Sequence, residues 1–159
     1  MRMIELKVQT VALDANNQPV LVLRDASGKR SLPIWIGPAE AVAISLALEG
    51  QQPPRPMTHD LLCTVLSEVG VKAERVEISD ARDQTYYARL VIRTGGESKE
   101  IDCRPSDGIA IALRVQIPIT ISDDLLTRIE AEHQVGAEAD KGTRYKSVFV
   151  VDSGETMIH

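Results

Sequence analysis

The chain has 159 residues, 43% apolar and 26% charged, with a formal net charge of −5 and two cysteines. That length suits one sizeable core rather than two full domains. The acidic balance argues against a domain coated for nucleic acid, whose phosphates draw on dense Lys and Arg, and no apolar run approaches the roughly 20 residues that cross a bilayer.

From Met1 to Lys7 apolar and charged residues alternate, without the apolar run of a signal peptide, and Cys63 and Cys103 lie far apart with no Cys-x-x-Cys spacing. The expectation is a cytoplasmic protein whose thiols stay reduced and pack as small hydrophobes. Residues 3 to 13 and 19 to 24 carry β-branched alternation around the turn-forming Asp14-Ala15-Asn16-Asn17-Gln18 and predict a hairpin. A second turn at Asp25 to Lys29 leads to a short strand, Ser31 to Ile36, in which Pro33 points to a sheet edge or an irregularity.

Gly37-Pro38 opens a helix to about Gly50 that is apolar on nearly every side, which predicts burial against more than one neighbour, such as the sheet and a partner subunit. The proline-rich Gln51 to Pro56 reads as an extended connector, and Thr58 as the cap of a helix through Val69 closed by Gly70. Residues 71 to 80, 84 to 94 and 97 to 103 predict three consecutive strands with tight turns, hence a mostly antiparallel sheet. Ser106 then caps a helix to about Val115, Pro118 to Ile121 forms a short strand, and Ser122 caps a helix to about His133. The expected fold is therefore α+β, a mostly antiparallel twisted sheet flanked by about four helices. It forms one domain over residues 1–133, followed by a linker and extension, 134–159, with a possible extra strand at Tyr145 to Val151 that joins the sheet edge or reaches a second subunit.

One local echo stands out. Arg55-Pro56-Met57-Thr58-His59-Asp60 and Arg104-Pro105-Ser106-Asp107 each place Arg-Pro before a hydroxyl and a first-turn carboxylate. A helix N-terminus presents unpaired N–H groups and partial positive charge, so it welcomes an anion. Arg55 and Arg104 suit bidentate phosphate contacts. His59 suits proton transfer near neutral pH, and Asp60 and Asp107 join it as catalytic candidates. The carboxylates of Glu40, Asp60, Asp102 and Asp107 suit a hard cation such as Mg2+ or Mn2+, the usual equipment for phosphodiester hydrolysis. The same residue types also serve as ordinary caps and dipole complements.

Other templates fail. No phosphate loop, dinucleotide fingerprint, zinc-protease helix or nucleophile elbow is present. Asp83 with Glu97-Ser98-Lys99 has the order of a nuclease metal site, but Gly95-Gly96 makes it a hairpin. Tyr86 and Tyr87 must face opposite sides of a strand, one of them toward the core, and Trp35 is expected to be packed.

Leu32 to Gly37 with Glu40-Ala41, Arg55 to Leu61, Thr85 to Ala88, and Ile101 to Asp107 with Ile109-Ala110 and Ala112 to Arg114 together resemble the bifunctional nuclease domain family over about residues 3 to 133. The resemblance implies an α+β domain found in bacteria and plants that tends to self-associate as a homo-oligomer and hydrolyses both DNA and RNA. Many members carry a small residue such as alanine where Gly108 stands here. Three functional readings remain open: a metal-assisted nuclease of low sequence specificity; a non-catalytic oligomeric module that binds a ligand or partner and uses the two Arg-Pro corners only as rigid, internally paired structure; and a purely structural self-assembly protein, suggested by the Ala-rich apolar helices at 39 to 48 and 109 to 115.

Overall fold

The structure, a computed structural model, describes residues 1–139 and 146–149, with side chains described up to Gln134. β1 (Met3–Leu13) and β2 (Pro19–Asp25) form the predicted hairpin, and β3 (Ser31–Trp35) pairs antiparallel with β2. β4 (Lys72–Arg82), β5 (Thr85–Thr94) and β6 (Glu97–Cys103) form the predicted antiparallel meander. β7 (Ile119–Ser122) inserts between the two groups, antiparallel to β1 and parallel to β4, so the order is β3-β2-β1-β7-β4-β5-β6. β8 (Lys146–Phe149) pairs antiparallel with the end of β1, where β7 no longer reaches. Part of the expected last strand is thus in the sheet of the same chain; Tyr145, Val150 and Val151 lie outside the described residues.

Four helices accompany the sheet: α1 (Pro38–Leu48), α2 (Thr58–Glu68), α3 (Pro105–Val115) and α4 (Asp123–Ala139), the last running past the expected end near His133. The fold is α+β, as expected. No helix among the described residues is long and apolar enough to cross a membrane.

The core is aliphatic: Leu6, Leu21, Leu23, Leu32, Val76, Ile78 and Ile121 from the strands meet Ile44, Ile109, Ile111, Leu126 and Ile129 from the helices. α3 lies deepest, with Ile109 to Ala112 all buried. Gly108 permits that depth, because a Cβ there would sit 2.8 Å from Val76 Cγ1 and 3.2 Å from Cys103 Sγ. Cys63 and Cys103 are half-buried free thiols packed against this core.

Several local expectations change. Pro33 does stand on an edge strand, but Trp35 is 44% exposed and its Nε1–H donates to Asp14 Oδ2 at 2.9 Å. The period of two explains this: Leu32 and Ile34 take the buried face and leave Trp35 outside. Within this chain α1 leaves Val42 exposed, so the chain itself does not cover every side of the helix. Tyr86 is the inward tyrosine, and Tyr87 is exposed beneath the Arg82 guanidinium. Neither α2 nor α3 uses its predicted hydroxyl cap. The N-caps are Met57 and Arg104, because Thr58 already lies inside α2 and Pro105, with its fixed φ, starts α3 one residue before Ser106. Ser122 does cap α4, accepting from Leu125 N–H at 3.2 Å.

Candidate active site

The first turns of α1, α2 and α3 meet. On α3, Asp107 accepts two hydrogen bonds from Arg104, Nε to Oδ2 at 2.8 Å and Nη2 to Oδ1 at 3.1 Å. The third arm of the same guanidinium, Nη1, pairs with Glu40 Oε1 on α1 at 3.0 Å. Across from it, His59 of α2 places Nε2 2.9 Å from Asp107 Oδ1. A continuous line therefore runs Glu40, Arg104, Asp107, His59 and joins three helix N-termini, each of which contributes positive potential.

Its electrostatics follow from the same contacts. Burial pushes the Asp107 carboxyl up, but hydrogen bonds from Arg104 and His59 more than offset this and hold it below the usual carboxylate range. An ionised Asp107 accepts a proton-bearing Nε2 from His59, which leaves Nδ1 as the nitrogen with a lone pair in the neutral ring. Arg104, held protonated by Asp107, is 64% exposed and so faces solvent while anchored. Behind this line, burial, aided by Asp107 and Asp102, pushes the Cys103 thiol up to about 11, so it is no nucleophile at neutral pH.

Asp60 belongs to a different contact. Its Oδ1 accepts from Arg114 Nε at 2.7 Å and its Oδ2 from Met57 N–H at 2.9 Å, which lowers its proton affinity. Arg114 ends one of the motifs that carry the family resemblance, but the sequence assigns it no role. It is only 11% exposed and also donates to Ala110 O at 2.8 Å and Ala43 O at 3.1 Å, so one side chain ties α1, α2 and α3 together. Its sequence signal is a basic residue in a last helical turn, indistinguishable from a plain dipole complement.

The remaining candidates stand apart. Arg55 is exposed, with no ion pair among the described residues. Asp102 is exposed on β6 opposite Arg89 and makes no hydrogen bond to the line. Asp83 and Glu97 sit at opposite ends of the ten-residue β5, roughly 30 Å apart at strand rise, which rules them out as one site. Among the described residues no three His, Cys, Asp or Glu side chains gather to hold a metal ion. Glu40, Asp60 and Asp107 each spend oxygens on arginine, so in this arrangement they do not fit a divalent cation. Cavities of about 290 and 280 Å3 open elsewhere, the first among β1, α3 and β7, the second between β1 and α1.

The family model of the bifunctional nuclease domain matches residues 21–134. An uncharacterized protein of Mycobacterium tuberculosis (strain CDC 1551 / Oshkosh) is 46% identical over 112 residues, 70% of this chain and 66% of its own length. Bifunctional nuclease 1 of Oryza sativa subsp. indica is 28% identical over 122 residues, 67% of this chain and 37% of the rice protein. Bifunctional nuclease 1 of Arabidopsis thaliana is 29% identical over 106 residues, 65% of this chain and 32% of that protein. The chain thus spans just under two thirds of the mycobacterial relative and about a third of the plant ones. The matched residues hold the whole line from Glu40 to Asp107 together with Arg114, and the chain belongs to the bifunctional nuclease domain family.

Proposed function

We propose that the chain hydrolyses phosphodiester bonds of DNA and RNA where the first turns of α1, α2 and α3 meet. The supporting observation is the His59 Nε2 to Asp107 Oδ1 contact of 2.9 Å, with Arg104 bound to the same carboxylate. In this reading Asp107 fixes the His59 tautomer, and Nδ1 takes a proton from the attacking water as its oxygen bonds to phosphorus; the P–O ester bond breaks and the leaving oxygen is protonated by solvent, general-base help of this kind being worth about 10²–10⁴-fold in typical enzymes. Arg104 meets the phosphate oxygens, helped by three helix dipoles that favour the developing negative charge. Phosphate contacts carry no base information, so cleavage has little sequence preference. The expected setting is the cytoplasm.

The test is cleavage of labelled DNA and RNA oligomers by protein freed of host nucleases, with Mg2+ or Mn2+ in one arm and chelator in another. Wild type cuts, and the His59→Ala, Asp107→Asn double variant does not. The metal arm is needed because Glu40, Asp60 and Asp107 would have to leave their arginines to bind a cation. Full cleavage by the double variant would remove these residues from the mechanism.

The second reading, a non-catalytic binding module, draws on the same ion pairs. Arg104 is matched by Glu40 and Asp107, and Asp60 by Arg114, which is how rigid corners are built. A wild-type chain that binds oligonucleotide yet cuts none in either arm favours it.

A further inference from the structure

α2 carries His59 and Asp60 on its inner side, yet none of its residues is buried. Its outer side is an apolar ridge: Leu61, Val65 and Val69 follow at four-residue spacing from the N-cap Met57, and Leu62 widens the row. Their exposures are 58% for Leu61, 46% for Val65, 66% for Val69, 39% for Met57 and 40% for Leu62. Residues four apart lie on one helix face, so these form one patch rather than scattered single contacts.

The ends of this ridge are charged in opposite senses. Arg55, two residues before the N-cap, is exposed and without an ion pair among the described residues, and so is Glu68 in the last turn. An isologous contact needs a surface complementary to itself. A ridge with a free cation at one end and a free anion at the other meets that need when two copies run antiparallel: apolar faces apolar, and each Arg55 reaches the partner's last turn. Nucleic acid is a poor occupant, because the ridge offers neither aromatic stacking nor a row of cations.

We propose that the outer face of α2 is a two-fold interface between two copies of this chain, packed antiparallel through Met57, Leu61, Leu62, Val65 and Val69, with Arg55 of each copy paired to Glu68 of the other. The proposal is independent of the nuclease chemistry, since its test reads mass and not cleavage.

Sedimentation equilibrium of the full chain, from about 1 to 100 μM, measures it. A mass of twice the chain is expected, and Leu61→Glu with Val65→Glu weakens association by at least about 100-fold, as loss of central apolar anchors does. Circular dichroism confirms that the folded signal is kept, which it should be, because these side chains are outside the core. Arg55→Glu and Glu68→Arg each weaken the dimer, and the two together restore it. A monomer at 100 μM overturns the proposal. So does an oligomer that ignores Leu61→Glu and Val65→Glu, or a double charge reversal that is as weak as the single ones. Protection of α2 amides that appears only when oligonucleotide is added assigns the ridge to nucleic acid and likewise overturns it.

Discussion

Arg114 and Asp60, from the last turn of α3 and the first turn of α2, are joined by a 2.7 Å bond from Nε to Oδ1, and this pair holds the histidine's helix in place. No residue of α2 is fully buried, although Cys63 packs half-buried against the core, so the polar tie adds to a limited apolar contact in anchoring the helix. Arg114→Gln is expected to cost about 1–3 kcal/mol, the range for leaving buried polar partners unpaired, read as a lower urea midpoint. The same variant loosens α2, so amide exchange in residues 58–68 accelerates and the His59 ring loses the NMR signature of its bond to Asp107. A unchanged His59 spectrum would show that α2 is held by something else.

Acid should unfold the protein through the same carboxylates. Arg114 and Met57 N–H lower Asp60, Arg104 and His59 outweigh burial at Asp107, and Arg82 with Arg128 brings Asp80 down to about 2. A carboxyl whose folded value is depressed stabilises the fold above its unfolded value of roughly 4 and loses that contribution as pH falls through the folded one. Urea midpoints are therefore expected to be flat from pH 7 to 5 and to drop between pH 4 and 2. Asp80→Asn should make the drop shallower by lowering the midpoint more at pH 7 than at pH 2, and only modestly, its arginines being largely solvated.

Gly37 offers a way to disturb Arg104 without touching it. Its φ of −77° suits any residue, but a Cβ would collide with the Glu40 carboxylate that folds back against it. Gly37→Ala is expected to change stability by less than about 1 kcal/mol, since a flexible side-chain end can move. It should nonetheless free Arg104 Nη1. Oligonucleotide affinity then shifts while the melting temperature holds; a variant that leaves affinity untouched would mean that Glu40 does not position the guanidinium.

Gly108→Ala separates helix propensity from packing. Alanine adds up to about 1 kcal/mol of helix stability, yet the new methyl meets Val76 Cγ1 at 2.8 Å in a fully buried place. Overpacking of this kind costs typically 1–3 kcal/mol, so calorimetry should show a lower melting temperature.

The strands were legible because their signals are local. Turn residues bound every hairpin, and alternation marks the faces of β3 and β5. The helix starts were legible as places but not as chemistry: Arg104 and Asp107 are three residues apart, so their pairing is local, whereas His59 with Asp107 and Arg114 with Asp60 depend on how α2 crosses α3. The role of Arg114 escaped notice for that reason. Trp35 was misplaced because hydrophobicity alone does not say which face of an edge strand stays open. Asp102 was drawn into the candidate set by its nearness in sequence to Arg104, but the strand's geometry carries it away from the helices.

The insertion of β7 also has a kinetic consequence. Four residues, Ile119 to Ser122, form the seam between β1 to β3 on one side and β4 to β6 on the other. Each three-stranded group can form from neighbouring hairpins, whereas Met3 must wait for Ser122 across more than a hundred residues of chain. Loop closure over that distance is slow relative to hairpin formation. The refolding chain is thus expected to hold two separate ribbons until the seam closes, and the helix starts of α1, on one side of it, and α3, on the other, come together only in that last step.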